Sequence, residues 1–107
     1  MAKINGDFIK VAETRDIQST KMKAVKVAGE KICVANVKGI CYAIGNTCTH
    51  EGGPLNEGTL EGYEVECPWH GSKFDIRTGK VTRHPANKPV ATYEVKVEGN
   101  DILVRKG

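Results

Sequence analysis

Two short stretches of this chain pair a thiol with an imidazole. The first reads Cys48-Thr49-His50-Glu51-Gly52-Gly53-Pro54-Leu55 and the second Cys67-Pro68-Trp69-His70-Gly71-Ser72-Lys73-Phe74-Asp75. Each supplies one Cys and one His, as C-x-H and C-x-x-H, with residues 51–66 between the pairs. A thiolate is a soft ligand, and imidazole serves iron and zinc equally well. The four side chains therefore suit an iron–sulfur cluster or a structural zinc ion, and spacing alone leaves both open.

The elements that must position these groups read as β-structure. Strands are expected over 7–11, 23–27, 31–37, 40–44, 63–66, 73–75, 90–97 and 101–105, where β-branched or alternating residues gather. Turn signals separate them at Gly29-Glu30, Lys38-Gly39, Thr78-Gly79 and Gly99-Asn100. One helical turn fits within 12–19. Many short strands at close spacing predict one all-β domain over 1–107, a small antiparallel β-sandwich or barrel. The loops 46–57 and 67–75, rich in Gly, Pro, Cys and His, stand out from it as the place for chemistry.

Composition narrows the class. Apolar residues make up 39% and charged residues 27%, as in a folded globular domain. No apolar run approaches the ~20 residues of a membrane span, so no membrane anchor is expected. Residues 1–7 lack the apolar stretch of a secretory signal, which makes a cytoplasmic location the expectation. The net charge of +3 is mild, and its densest group is Lys21, Lys23, Lys26 and Lys31. Without aromatic interleaving this is a solvated strand face, not a nucleic-acid site, though it can bias the chain toward an acidic partner.

Of four cysteines, Cys33 and Cys41 flank a hairpin turn at Val37-Lys38-Gly39-Ile40. That register puts Cys33 opposite Ile44 and Cys41 opposite Asn36, so the thiols sit ~10 Å apart on opposite faces. A disulfide needs Cα atoms within ~7 Å. Both are read as buried apolar residues.

The residues around the four ligand candidates resemble the Rieske family. Its signature is C-x-H with nearby Gly and Leu, then C-P-x-H-G followed by an aromatic and an acidic residue. The likeness extends from about residue 40 to 104, taking in Gly58, the Phe74-Asp75 to Thr78-Gly79 hairpin, and the stretch from His84-Pro85 to Pro89. The resemblance implies a Rieske fold with a cluster-binding loop subdomain and one [2Fe–2S] cluster, Cys48 and Cys67 on one iron, His50 and His70 on the other. Two ferric ions, two sulfides and two thiolates sum to zero charge. Accepting an electron is then easier than in an all-thiolate cluster, and potentials fall at about −150 to +300 mV.

Other residues are placed by the same resemblance. High-potential relatives join the two loops by a disulfide; the matching positions here are Gly53 and Trp69, which points to the ferredoxin branch associated with oxygenases. Trp69 is a candidate to shield the cluster by packing, with plain loop filler the alternative. Ser72 stands where a hydroxyl donates to a bridging sulfide, against the alternative of a serine satisfied by a turn; such a donor raises the potential. Phe74 replaces a tyrosine, so a second hydroxyl is missing. Pro85 and Pro89 match the third loop, which walls the cluster, and His84 is an exposed loop residue. Glu51 is a solvated carboxylate. Gly52, Gly53, Gly58 and Gly71 serve tight turns and close approach.

The resemblance thus implies a monomeric one-electron carrier without turnover of its own, placed between a flavin-dependent NAD(P)H reductase and a terminal oxygenase or other redox protein. Two rivals stand beside it: a fixed Rieske subunit of a larger reductase, such as a nitrite reductase, and a zinc-stabilised binding module.

Overall fold

In the computed structural model the residues described are 8–27, 29–50, 52–69 and 71–106. Ten strands follow in chain order: β1 (Ile9–Glu13), β2 (Lys21–Val27), β3 (Glu30–Val37), β4 (Ile40–Gly45), β5 (Thr59–Glu61), β6 (Glu64–Glu66), β7 (Lys73–Asp75), β8 (Val81–Arg83), β9 (Thr92–Glu98) and β10 (Asp101–Lys106). Two 3-10 turns, Thr14–Asp16 and Leu55–Glu57, complete the set. Six strands form an antiparallel sheet in the order β1-β10-β9-β4-β3-β2, and its end strands β1 and β2 meet, nearly closing a barrel. The other four form a smaller sheet, β5-β6-β7-β8.

Strands β3 and β4 belong to two cores at once. Ile32, Val34 and Ala43 point into the barrel with Ile17, Ile102 and Val104. Cys33, Ala35, Val37 and Ile44 point the other way, onto Val65, Phe74 and Ile76 of the small sheet. A strand buried on both faces reads as a continuous apolar run, which is why Ile32-Cys33-Val34-Ala35 lacks the alternation seen in Lys21–Val27. The turn between β3 and β4 puts Lys38 at φ 54° and Gly39 at φ 91°, both left-handed, as a two-residue hairpin turn requires. Asn36 reinforces it, accepting from Gly39 N–H at 2.7 Å while donating to Ile17 C=O at 2.8 Å.

The expected hairpin register holds. Cys33 lies opposite Ile44 and Cys41 opposite Asn36, and the two thiols enter different cores. Cys33 is fully buried, whereas Cys41 is only half-buried, which corrects the expectation for it. Other corrections are local. The first strand runs to Glu13, two residues beyond its expected end, and Asp7 lies outside the described residues. Tyr63 sits in the β5–β6 turn, and the β9 strand begins at Thr92 because Val90 N–H bonds Gly79 C=O instead. Strands β5 and β8 were not expected. Each has three residues, too few for alternation to show.

Candidate metal centre

Both chemical loops leave the same end of this scaffold. The first follows β4 and is closed at its base by Asn46, a buried polar side chain. Its amide donates to Asn56 Oδ1 at 2.9 Å, its Oδ1 accepts from Asn56 N–H at 2.8 Å, and its carbonyl accepts from Leu55 N–H at 2.8 Å. The second loop follows β6 directly and returns into β7.

The two loops share one backbone design. Cys48 N–H donates to Gly53 C=O at 2.8 Å, and Gly52 N–H returns to Cys48 C=O at 2.9 Å. Cys67 N–H donates to Ser72 C=O at 2.7 Å, and Gly71 N–H returns to Cys67 C=O at 3.2 Å. Gly52 and Gly71 carry the positive φ, 80° and 78°, that this closure demands. Each cysteine is thus fixed at the base of a six-residue ring, with its histidine in the interior of the ring sequence. The spacings C-x-H and C-x-x-H are two settings of one loop.

Cys48 and Cys67 are buried, and both belong to the core cluster that includes Leu55, Phe74 and Ala86. His50 is exposed. His70 and Glu51 lie outside the described residues. The loops approach closely where Gly53 faces the second loop: a Cβ there would fall 2.7 Å from Cys67 Sγ and 3.1 Å from the Trp69 ring. Gly58 is as tightly constrained, since its Cβ would meet Glu66 C=O at 1.8 Å. Trp69 lies against Gly53, yet the indole is 55% exposed. It shields the loop contact on one side only.

Ser72 is fully buried, and its hydroxyl oxygen accepts from Ala86 N–H at 2.9 Å. That contact ties the second loop to the 84–90 segment, in which His84 and Pro85 are exposed and Ala86 and Val90 are buried. The first loop is tied to the same segment by Thr49, whose hydroxyl donates to Lys88 C=O at 2.7 Å. Phe74 fills the core behind Cys67. Thr49, Asn46 and Asn56 were missed as site residues. The Asn46–Asn56 pair flanking the loop carries no distinct signal in the sequence, because Asn also marks ordinary turns.

Two soft thiols buried on facing loops, an imidazole at the surface beside one of them, and a glycine contact leaving no room for a side chain fit a polynuclear group held between the loops. The donor types suit iron–sulfur chemistry.

Comparison with known proteins agrees. A family model described as the Rieske [2Fe-2S] domain matches residues 7–94. The ferredoxin component of the naphthalene 1,2-dioxygenase/salicylate 5-hydroxylase systems of Ralstonia sp is 38% identical over 99 residues, covering 92% of this chain and 95% of that protein. The ferredoxin of carbazole 1,9a-dioxygenase from Nocardioides aromaticivorans IC177 superposes with a TM-score of 0.90 at 34% identity, covering 94% and 98% of the two chains. A similar match, at a TM-score of 0.88, 34% identity and 95% of both chains, is a structure of reduced oxygenase in complex with oxidized ferredoxin in carbazole 1,9a-dioxygenase.

Proposed function

The chain belongs to the Rieske [2Fe–2S] domain family, as an electron carrier and not an enzyme, and we propose that Cys48, His50, Cys67 and His70 hold its cluster while it relays electrons from a flavin-dependent NAD(P)H reductase to a terminal oxygenase. When bound, the cluster supplies one-electron exchange with no bond made or broken in the protein. The chain's own residues do the rest. Buried Cys48 and Cys67 anchor the group in a dry core. The matched backbone rings hold both thiols rigidly, so little reorganises when charge changes. His50, exposed on its loop, offers a partner an imidazole edge at the surface without the fold opening.

The observation that carries this reading is the pair of identical loop closures, Cys48–Gly53 and Cys67–Ser72, converging on one buried site. The oxygenase assignment is supported by relatives named as ferredoxin components of dioxygenase systems. No helix among the described residues is long and apolar enough to cross a membrane; we place the chain in the cytoplasm as a freely diffusing monomer.

Metal analysis with absorption and EPR spectra, before and after dithionite, tests the cluster. Two irons and two acid-labile sulfides per chain with a reduced-state signal of low average g are expected. Stoichiometric zinc without iron, from cells well supplied with iron, would falsify the assignment. Gel filtration and reconstitution with candidate reductases and oxygenases test the partners: obligate co-purification with one large reductase would replace the diffusing carrier by a fixed subunit.

A further inference from the structure

We propose that the groove beside the first loop, with Lys31 in its wall and Lys26 opposite Lys31 on β2, receives a carboxylate-bearing surface of the redox partner; this rests on the electron-carrier reading above. Lys26 and Lys31 are directly opposite each other across β2 and β3. Like charges in that position destabilise a sheet, and both side chains are exposed. Among the described residues neither has an ion-pair partner, whereas Lys10, Lys73 and Lys96 each do. The pair concentrates two positive charges at one exposed spot of the sheet, where an acidic surface would meet both.

Its position gives it a use. Lys31 C=O accepts from Asn46 N–H, so the pair sits where β3 meets the first loop. Lys31 lines a groove of about 410 Å³ together with Asn46, Thr47, Thr49, Pro89 and Tyr93. Thr49 lies between Cys48 and His50, which brings the groove to the foot of the exposed imidazole. Among the described residues Glu30 is the one carboxylate lining it, and it accepts the Tyr93 hydroxyl at 2.9 Å. Lys88, exposed in the segment that Thr49 bonds, adds a third cation at this end. Within the lining Lys31 and Glu30 balance, and Lys26 and Lys88 beside it leave this end positive among the described residues. A positive rim raises the local concentration of acidic partners and speeds their encounter.

Small redox ions of opposite charge test this on the cluster-loaded protein. Reduced wild type, Lys26→Gln/Lys31→Gln and Lys21→Gln/Lys38→Gln would be oxidised by ferricyanide and by hexaamminecobalt(III) in stopped flow. The last variant makes the same change in net charge roughly 20 Å away along β3, at ~3.3 Å per residue. The Lys26/Lys31 variant should lose roughly three- to tenfold in rate with the anion and gain with the cation. Both effects should vanish near 1 M salt, where the Debye length is ~3 Å. Equal behaviour of the two variants would mean that net charge alone acts, and would overturn the proposal. A second readout uses the paramagnetic anion hexacyanochromate(III), which should broaden the amide signals of Lys31, Asn46 and Thr47 in wild type but not in Lys26→Gln/Lys31→Gln. Absent broadening in iron-loaded protein overturns this inference alone. A protein lacking iron yet broadened at the groove would overturn the carrier reading instead.

Discussion

Ser72 Oγ accepts a 2.9 Å hydrogen bond from the backbone N–H of Ala86, across fourteen residues of chain and with neither residue exposed to solvent. The bond joins the Cys67 loop to the 84–90 segment, and Thr49 to Lys88 joins the Cys48 loop to that same segment. The resemblance implies that high-potential relatives hold the two loops together covalently, by a disulfide. Here Gly53 and Trp69 occupy those positions, none of the four cysteines forms a disulfide, and the third loop ties both of its neighbours by hydrogen bonds.

Ser72→Ala should have two separable effects. The Ala86 N–H would be left buried without an acceptor, which costs about 1–3 kcal/mol and lowers the melting temperature. A hydroxyl also has one proton to donate while it accepts from Ala86. As the resemblance implies, that proton would bond a bridging sulfide, and its loss should lower the reduction potential. A charge-assisted bond worth ~1.5–3 kcal/mol, at about 59 mV per 1.4 kcal/mol for one electron, gives a drop of roughly 60–130 mV. Voltammetry and thermal melting read the two separately: a lower melting temperature at unchanged potential would leave Ser72 as a tether alone.

Gly53→Ala should impair cluster assembly. The new methyl would sit 2.7 Å from Cys67 Sγ and 3.1 Å from the Trp69 ring. Because Cys67 is fixed by its backbone ring to Ser72, it cannot yield without disturbing the loop. Gly62→Ala is the control. Its φ is 61°, so strain of ~1–2 kcal/mol is expected, but its Cβ would meet open space. Iron per chain should fall in the first variant and hold in the second; equal iron contents would show that the Gly53 contact is slack.

The sequence revealed some features of this arrangement more readily than others, for physical reasons. The β3–β4 register followed from a two-residue turn, because turn geometry fixes which residues face each other. Cys48, Cys67 and the histidines stood out by residue type and spacing. The bonds Thr49–Lys88 and Ser72–Ala86 did not, since each joins residues far apart in the chain and one partner of each is backbone, which carries no signature. Cys41 was misjudged because a strand pattern gives its face but not how well that face is covered. Strands β5 and β8 are set by pairing with β6 and β7, not by their own three residues.

Cys33 should shape the alkaline limit of stability. Burial pushes its thiol from the ordinary 9.0 up to about 12. The unfolded chain releases this proton near 9, while the folded chain keeps it. Stability is therefore full below pH 9 and declines between 9 and 12, because the unfolded state binds fewer protons there. Cys33→Ala removes this dependence while adding a cavity cost that does not vary with pH. Denaturant titrations at pH 8, 9.5 and 11 should show a shallower alkaline decline in the variant. Parallel slopes would mean that the Cys33 thiol titrates in the folded state as it does in water.

The two hydrogen bonds to the 84–90 segment should be energetically coupled. Thr49→Val removes the donor to Lys88 C=O at an exposed position and should cost no more than about 1 kcal/mol. With Thr49 gone the segment remains held at Ala86, and with Ser72 gone it remains held at Lys88. Losing both leaves Val90 N–H to Gly79 C=O, at its far end, as its remaining hydrogen bond among the described residues, beside the packing of Ala86 and Val90 in the core, so the double variant should lose more than the sum of the singles. Coupling on the order of 0.5–3 kcal/mol is the range for groups sharing one structural element. Hydrogen exchange at Ala86 and the half-life of iron release to a chelator are the measurements, the first reporting opening of the segment and the second access to the site. Both should change modestly in each single variant and sharply in Thr49→Val/Ser72→Ala. Additive effects would show that the loops are held independently, and the third loop would then be a cover and not a strap.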